Sequence, residues 1–463
     1  MTSSRQTGLI ALMLTASVLA TGCSTTQNLN PFNQPDKSLK ETAAEGTRIA
    51  IIPDEQKLAV ADGLQGADFY LPDPVAVTEW PLDSNGATAI PHVDAAPNLE
   101  IVWKRAFGKG SGGTAHVTAP PVASNGKIFV MDGEATVSAF DAASGNQVWR
   151  ANLRPESKRD KDGFGGGLAV SGGKLFVSSG YRFVAELNAD TGAVVWKTTT
   201  EQPIHAAPTA SNGRMFVVAV DNTLLTFDTA SGAEGWTYQA LSEPARILAA
   251  SAPAVAGDTV IASFGSGELV ALRAANGNDL WNEALSRANR NNALSEIRDI
   301  PGRPTIYQGD VFAISHSGVF AATDLRTGQQ RWTLPITGIT TPWAAGDVVY
   351  VVSKNGEVVC ASRETGLIYW IRDLAEGRSN QKGGMFSMGR KKKYIVRPVW
   401  SSPLLANGRL ILTSSQGEMV VLNAKTGVQE KSVKLGGAAL IGPVAVNGTI
   451  FVATDEAQLI ALR

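Results

Sequence analysis

The residue types that most often carry out chemistry in proteins are few in this chain, and their spacing points to no catalytic or metal site. No two of its four histidines have a metal-ligand spacing such as His-x-x-x-His; they are His92, His116, His205 and His316. No Gly-x-Ser-x-Gly elbow is present, and the glycines of "GFGGG", residues 163–167, precede a β segment, which is typical of a loop and not of a phosphate cradle. We therefore expect no catalytic residue, no bound metal and no cofactor.

The two cysteines have different expected roles. Cys360 lies in the apolar run "GEVVCAS" and is most simply a small buried side chain. Cys23 follows one positive charge, Arg5, and an apolar segment from Leu9 to Ala20. That segment is too short to span a bilayer, which takes about 20 apolar residues, and it is typical of a secretion signal.

The stretch "LATGC", which ends at Cys23, resembles a bacterial lipobox, in which a small residue precedes a cysteine that is acylated and becomes the mature N-terminus. The usual leucine is displaced, since Ala20 stands three residues before the cysteine and Leu19 one further back. We predict a lipoprotein signal peptide over residues 1–22 and a lipid on Cys23. Ser24, in place of an aspartate, resembles outer-membrane sorting. The alternative is an ordinary signal peptide with an incidental cysteine.

A glycine followed four residues later by a tryptophan recurs six times along the chain. The pairs are Gly145 with Trp149, Gly192 with Trp196, Gly232 with Trp236, Gly277 with Trp281, Gly328 with Trp332 and Gly366 with Trp370. A second glycine marker recurs eight times before short runs of β-branched and aromatic residues, as in "SNGKIFVM" and "NGTIFVAT". Short strands and turns repeating every few tens of residues are typical of a β-propeller.

The two ends of the repeat region complement each other. The last repeat stops at "LIALR", residues 459–463, without a tryptophan strand, whereas "LEIVWKRAF", residues 99–107, is a tryptophan strand without a blade before it. We therefore predict an all-β fold, an eight-bladed β-propeller over residues 99–463, in which the Trp103 strand completes the last blade and removes open sheet edges.

The tryptophans of the repeat are expected to dock between neighbouring blades. They are Trp103, Trp149, Trp196, Trp236, Trp281, Trp332 and Trp370. In one copy Lys431 stands where a tryptophan would follow Gly427, so we expect that blade contact to be the weakest.

Residues 23–98 precede the propeller and change character along their length. The first part is polar and rich in proline and asparagine, which is typical of a flexible tether. The second part carries short apolar pieces and predicts an extended strap, with Trp80 as an anchor. The longest insertion, residues 375–398, contains four consecutive basic residues from Arg390 to Lys393. It is either a solvated loop or a contact with anionic lipid head groups or an acidic partner.

Charge over the whole chain is nearly balanced, with 41 Lys and Arg against 42 Asp and Glu. A balanced chain provides no global field that would attract nucleic acid. We therefore expect no nucleic-acid partner.

The Asp-x-x-Thr-Gly-x-x-x-Trp turn and strand resemble those of two groups, the PQQ-dependent quinoprotein dehydrogenases and the BamB family of outer-membrane protein assembly factors. The resemblance to BamB covers the signal region and residues 99–463, including "SAPAV", "GELVALRAANGNDLW" and the closing "LIALR". A dehydrogenase would hold a catalytic carboxylate and Ca²⁺ under the quinone, often with vicinal cysteines, and this chain has no vicinal cysteines. A dehydrogenase-like enzyme and a generic periplasmic propeller adaptor remain the alternatives.

Membership of the BamB family would imply a non-catalytic scaffold lipoprotein on the periplasmic face of the outer membrane. It would bind a POTRA domain of BamA in the β-barrel assembly machinery, and the resemblance also suggests contact with unfolded outer-membrane protein substrates. In that family the partner-binding residues lie before the strand corresponding to "SAPAV" and in the connection after Trp281. Those places hold Arg246, Ile247, Leu248, Glu296, Arg298 and Asp299. Solvated loop charges without a partner are the alternative.

Overall fold

Short runs of β-branched and aromatic residues, separated by glycine-containing turns, form eight antiparallel sheets of four strands each. The computed structural model describes residues 58–80, 92–156, 163–242, 251–286, 297–376 and 397–463, together with the backbone of residues 380–382 and 392–394. No described residue is helical, and no helix able to cross a membrane occurs among them. The signal peptide, Cys23 and the tether lie outside the described residues.

Seven of the sheets, which we call blades 1 to 7, are built from four consecutive strands named a to d in chain order. Blade 1 is β2 (Val122–Ser124), β3 (Lys127–Met131), β4 (Thr136–Asp141) and β5 (Gln147–Asn152); blade 2 is β6 (Gly166–Ser171), β7 (Lys174–Ser179), β8 (Phe183–Asn188) and β9 (Val194–Thr199); blade 3 is β10 (Thr209–Ser211), β11 (Arg214–Val218), β12 (Thr223–Asp228) and β13 (Glu234–Gln239); blade 4 is β14 (Ala254–Ala256), β15 (Thr259–Ser263), β16 (Glu268–Arg273) and β17 (Asp279–Ala284).

The next three blades follow the same plan. Blade 5 is β18 (Thr305–Tyr307), β19 (Asp310–Ile314), β20 (Phe320–Asp324) and β21 (Gln330–Leu334); blade 6 is β22 (Trp343–Ala345), β23 (Val348–Val352), β24 (Glu357–Ser362) and β25 (Ile368–Asp373); blade 7 is β28 (Leu404–Ala406), β29 (Arg409–Thr413), β30 (Glu418–Asn423) and β31 (Gln429–Lys434). Between blades 6 and 7 the chain forms a separate hairpin of β26 (Asn380–Lys382) and β27 (Lys392–Tyr394).

Blade 8 joins the two ends of the chain. Its a, b and c strands are β32 (Val444–Val446), β33 (Thr449–Ala453) and β34 (Gln458–Leu462), and its d strand is β1 (Ile101–Ala106). β1 pairs antiparallel with β34, and Trp103 lies opposite Ala461. The prediction of an eight-bladed propeller closed by the Trp103 strand is therefore confirmed.

The order of strands within a blade runs from the axis to the rim. The a strands of blades 1 to 6 contact one another in sequence and are largely buried, whereas d strands such as β9 alternate between exposed and half-buried residues. Because neighbouring strands are antiparallel, the a–b and c–d turns lie at one face of the ring, which we call the a–b face. The b–c turns and the connections from each d strand to the next blade lie at the opposite face, the d–a face.

The tryptophan of each d strand packs on the glycine in the c–d turn of the following blade. Gly277 has φ +75°, and a Cβ atom there would lie 2.5 Å from the ring of Trp236. Glycine is required at this position both for the positive φ and for the close approach of the ring. The other six contacts leave 2.4 to 2.8 Å for such an atom; they join Trp103 to Gly145, Trp149 to Gly192, Trp196 to Gly232, Trp281 to Gly328, Trp332 to Gly366 and Trp370 to Gly427.

Most of these indole groups also donate a hydrogen bond across the blade junction. Six indole N–H groups donate to a main-chain carbonyl in the turn of the next blade at 2.8 to 3.3 Å. The buried indole nitrogen of Trp103 has no hydrogen-bond partner among the described residues. Between blades 7 and 8 the tryptophan is replaced by Lys431, whose ammonium group donates to the carbonyl of Asn98.

The strap, residues 58–80 and 92–98, follows the ring from blade 6 to blade 7. The Ala61 amide donates to the Ile368 carbonyl of β25 at 2.9 Å. Phe69 is 5% exposed, and its ring lies 4.8 Å from that of Tyr369, centroid to centroid. Val93, which is fully buried, exchanges hydrogen bonds with the β28 region of blade 7.

The strap then continues to blades 8 and 1. The Asn447 amide of blade 8 donates to the Val77 carbonyl at 2.7 Å, and Trp80 exchanges two backbone hydrogen bonds with Ala123 of β2. The Trp80 ring is stacked on Trp343 of β22, with 6.4 Å between ring centroids and 22° between planes. Residues of this segment therefore tie together the blades on both sides of the closing blade.

Candidate functional site

The candidate partner-binding residues lie in the two connections that flank blade 4. The first connection, residues 240–253, joins β13 to β14, and the second, residues 285–304, joins β17 to β18. Both therefore belong to the d–a face. Arg246, Ile247, Leu248 and Glu296 lie outside the described residues, whereas Arg298 and Asp299 are described.

The Arg298 side chain is exposed, and the main chain at this residue packs on the b–c turn of blade 4. Gly267, in the b–c turn of blade 4, has φ +83°, and a Cβ atom there would lie 2.9 Å from the Arg298 Cβ atom. The absence of a side chain at Gly267 thus lets the second connection approach the turn closely. The main chain at Arg298 is therefore held against blade 4, while the Arg298 side chain is exposed at the d–a face.

Asp299, the next residue, is buried. It is 2% exposed, and its carbonyl accepts a hydrogen bond from the His316 amide of blade 5 at 2.8 Å. The following residue, Ile300, is also buried, at 2%. Any contribution of Asp299 to binding is therefore made through the position of Arg298 and not by direct contact of its own carboxylate.

The start of the first connection is fixed to the same turn of blade 4. Leu241 is 66% exposed, and its amide donates to the Glu268 carboxylate at 2.8 Å. The Asn222 side chain donates to the Leu241 carbonyl at 2.6 Å, and the Ser266 hydroxyl donates to the same Glu268 carboxylate at 2.7 Å. Since Glu268 follows Gly267 directly, adjacent residues of blade 4 support both candidate connections.

His316 lies in the b–c turn of blade 5, beside the second connection. It is 9% exposed, and its Nε2 atom lies 3.0 Å from the Lys354 ammonium group. Burial, together with the positive charge of Lys354, lowers the pKa of His316 below its ordinary value. The imidazole is therefore neutral at pH 7 and acts as a support for the loop.

The other three histidines form hydrogen bonds or ring contacts within the fold. His92 in the strap is hydrogen-bonded through both ring nitrogens, to the Pro72 carbonyl at 2.6 Å and to the Gly408 amide at 2.7 Å. His116 and His205 flank the ring of Phe164, with centroid distances of 5.0 and 5.1 Å.

The described residues contain no cluster of three or more His, Cys, Asp or Glu side chains that could hold a metal ion. Cys360 is fully buried, and that burial raises the pKa of its thiol well above the ordinary value. A buried neutral thiol is not a nucleophile. Cys360 therefore does not act as a nucleophile.

A cavity of about 290 Å³ lies at the axis of the ring, next to the d–a face. Its walls come from residues at the start of the a strands of blades 1 to 6 and from the strap, and they include Trp80, Trp343, His205 and Arg303. The strap thus contributes an aromatic wall to the central channel.

The supporting residues Asn222, Gly267 and Glu268 were not identified from the sequence. Gly267 stands in "GSGE", where a turn glycine is recognisable, but no local pattern indicates that another loop packs on it. Glu268 and Asn222 are isolated polar residues in the sequence, and only the folded ring brings them under Leu241.

This chain is similar to known proteins both in sequence and in fold. The family model described as "Outer membrane protein assembly factor BamB" matches residues 93–158 and 133–372. A protein of that name from Burkholderia pseudomallei is 26% identical over 377 residues, which cover 81% of this chain and 91% of that protein.

Two solved structures show the same architecture. BamB from Moraxella catarrhalis has a TM-score of 0.65 at 19% identity and covers 79% of this chain and 99% of that chain. A europium-containing methanol dehydrogenase has a TM-score of 0.63 at 14% identity and covers 81% of this chain and 89% of that chain. At such identities both likenesses concern the propeller fold alone.

Proposed function

This chain belongs to the BamB family of outer membrane protein assembly factors, and we propose that its d–a face binds a POTRA domain of BamA within the β-barrel assembly machinery. It is a scaffold and not an enzyme, because its relatives are named as assembly factors and the likeness to a methanol dehydrogenase is limited to the fold. In this role the propeller holds and orients the partner domain.

The observation that carries the binding site is the common support of the two connections at blade 4. Gly267 packs under Arg298, and Glu268 holds Leu241 at the start of the connection that contains Arg246. Arginines fixed on a rigid element are frequent energetic anchors of protein interfaces. Leu241, which is exposed at the start of the first connection, supplies the apolar contact that such an interface needs at its centre.

We also propose that the protein is held at the periplasmic face of the outer membrane by acyl chains on Cys23. One acyl chain binds a bilayer only marginally, so stable anchoring requires more than one. A Cys23→Ser protein should leave the membrane fraction and be recovered from the soluble periplasm. Its retention in membranes, with the BamA contact removed as well, would contradict the anchor.

A further proposed contact is with unfolded outer-membrane protein substrates. Among the described strands, each d strand is paired within its sheet with its c strand only, so apart from blade 6, where the strap amide of Ala61 bonds to Ile368, the rims carry an edge with no strand beside it. An extended segment can add to such an edge through main-chain hydrogen bonds. Proline substitutions at the outward N–H groups of the d strands should reduce crosslinking to substrate; unchanged crosslinking would refute this contact.

The BamA contact is tested by a pull-down from detergent-extracted membranes with Arg246→Glu, Arg298→Glu and the double variant. Each charge reversal of an interface anchor is expected to weaken binding by roughly 30-fold or more. The matched control is Arg326→Glu, in the c–d turn of blade 5 at the opposite face. The proposal fails if the double variant recovers BamA as the parent does, or if the Arg326 variant loses it equally.

A further inference from the structure

Three exposed basic side chains lie in a row across blades 4 to 6 at the d–a face. The carbonyl of the residue after Arg298 accepts a hydrogen bond from the His316 amide at 2.8 Å. The Lys354 ammonium group lies 3.0 Å from the Nε2 atom of the same histidine. The Arg397 guanidinium donates to the carbonyl of Asn355, the residue after Lys354, at 2.7 Å. Arg298, Lys354 and Arg397 are therefore joined by direct contacts, and we call them the basic row.

The main chain at Lys354 is held by the connection between blades 5 and 6. The Lys354 amide donates to the Thr337 carbonyl at 2.7 Å, and the amide of the next residue in that connection, Gly338, donates to the Ser315 carbonyl at 3.3 Å. The connection is thus bonded to the b–c turns of both blades. Ile339, which follows, is 38% exposed. A cation and an aliphatic side chain that are already ordered lose less conformational entropy when a partner binds them.

Lys354 has no carboxylate partner in the described part of the chain. The side chain that it contacts is the imidazole of His316, which is neutral at pH 7. Basic residues of the a–b face have a different environment, as in the pair of Lys127 with Asp190 at 2.7 Å. An acidic group from another molecule would therefore supply the counter-charge that Lys354 lacks.

The two sides of blade 4 differ in charge at the d–a face. Among the described residues on the side of blade 3, the exposed charges are the carboxylates of Glu201 and Asp221. On the side of blades 5 and 6 they are the three cations of the basic row and Glu376, which is paired with Arg372 at 3.2 Å. A protein that docks at blade 4 thus meets opposite charges on its two sides, and such a difference can fix its orientation.

We propose that the basic row binds an acidic surface of the domain that docks at blade 4 and so sets the orientation of that domain on the ring, a step that rests on the BamA contact proposed above. A specific interface covers about 800 Å² on each partner, which is roughly 30 Å across. An interface centred on the connections that flank blade 4 therefore reaches the neighbouring b–c turns. The acidic surface of the partner lies over blades 5 and 6, away from Glu201 and Asp221.

The first test measures the affinity of the full chain for immobilised, detergent-extracted BamA at about 50 mM and about 500 mM NaCl. Lys354→Gln should weaken binding about 5-fold at the lower salt concentration, and Lys354→Glu about 10-fold or more. At the higher concentration both differences should shrink to about 2-fold or less, because salt screens exposed charges. The matched control, Arg326→Glu at the a–b face, should bind as the parent does at both concentrations.

The second test detects the contact directly with a photoreactive amino acid. Placed at Asn355, it leaves Lys354 intact and should form an adduct with BamA in outer membranes. Placed at Asp221, on the other side of blade 4, it should form none. The proposal is overturned if no adduct forms at Asn355, if adducts form equally at both positions, or if Lys354→Glu binds BamA as the parent does.

The two proposals fail in different ways. If Arg298→Glu weakens binding to BamA and Lys354→Glu does not, the contact at blade 4 stands and the role of the basic row is refuted. If the parent itself does not bind BamA, the proposed function fails and the orientation of the partner fails with it. Equal urea unfolding midpoints of the parent and both Lys354 variants verify that the fold is kept.

Discussion

Lys431 donates its side-chain hydrogen bond to the main-chain carbonyl of Asn98 at the junction between blades 7 and 8. At this junction Leu99, with φ +52°, occupies the position that glycine holds in the other c–d turns. In the seven tryptophan junctions a Cβ atom at that position would lie within 2.8 Å of an indole ring. The lysine leaves room for the leucine, so each of the two departures from the repeat permits the other.

Restoring the tryptophan alone should therefore harm the protein. We expect Lys431→Trp to lower the unfolding free energy by about 1–3 kcal/mol, because the ring would be overpacked against Leu99. The double variant with Leu99→Gly should recover most of that loss, since it recreates the ordinary junction. Urea unfolding midpoints of the two single variants and the double variant measure the coupling. Additive losses would show that the two residues are independent.

Lys431→Met tests whether this junction is the weakest, as expected from the sequence. The substitution removes the bond to Asn98 and should cost about 1 kcal/mol. The comparison is Trp236→Met, which removes a whole indole contact and should cost about 3 kcal/mol or more. A larger loss at Lys431 than at Trp236 would reverse the expected order of the two junctions.

Alanine substitutions at two glycines with the same backbone angle distinguish the cost of steric overlap from the cost of conformational strain. Gly213 and Gly277 both have φ +75°, but a Cβ atom at Gly213 has open space, whereas one at Gly277 would meet the Trp236 ring at 2.5 Å. Gly213→Ala should cost about 1 kcal/mol through the positive φ. Gly277→Ala should cost about 1–3 kcal/mol more through overpacking. Equal unfolding midpoints for the two variants would contradict the docking role of the glycine.

His316 makes stability depend on pH in a defined direction. Its pKa in the folded protein is lower than the ordinary 6.5, so the unfolded chain takes up this proton more readily than the folded one. Its contribution to stability is complete above about pH 6.5 and declines as the pH falls towards the folded-state value. The slope is at most about 1.4 kcal/mol per pH unit, the limit for one proton. His316→Gln should flatten that part of the melting-temperature profile; an unchanged profile would assign the decline to other groups.

His92 should be a principal fastening of the strap. It is 4% exposed, and replacing it with alanine leaves the Pro72 carbonyl and the Gly408 amide without their partners. We expect a loss of about 2–4 kcal/mol, since each unsatisfied buried group costs about 1–3 kcal/mol. Hydrogen exchange at the Gly408 amide should accelerate accordingly. His116→Ala, which leaves the strap contacts in place, is the control; slow exchange at Gly408 in the His92 variant would contradict this role.

The blades could be predicted because the repeat encodes contacts that are close in sequence, and their closure could be predicted because each end of the repeat region lacks the strands that the other end holds. A turn glycine such as Gly277 and the tryptophan of the preceding blade lie about one repeat apart, and the pattern recurs at every junction. The path of the strap could not be predicted in this way, because it depends on single contacts such as that of His92 with Gly408, 316 residues away.

The different environments of adjacent residues in the candidate site could not be predicted from the sequence either. In the sequence Arg298 and Asp299 are neighbouring charges with equal claims to a partner. The structure exposes the first and buries the second, because the main chain at Asp299 is held by the amide of His316. That hydrogen bond joins separate blades, and no local pattern indicates it.

The position of β1 in the last blade determines the order in which the chain can fold. The strand and the strap are synthesised first, yet many of their partners lie in blades 6, 7 and 8, the last to be synthesised. Contacts between residues so far apart in sequence slow folding, because loop closure must precede them. Until residues 458–462 are complete, Trp103 has no c strand to pair with, so closure of the ring is a late step that depends on β34.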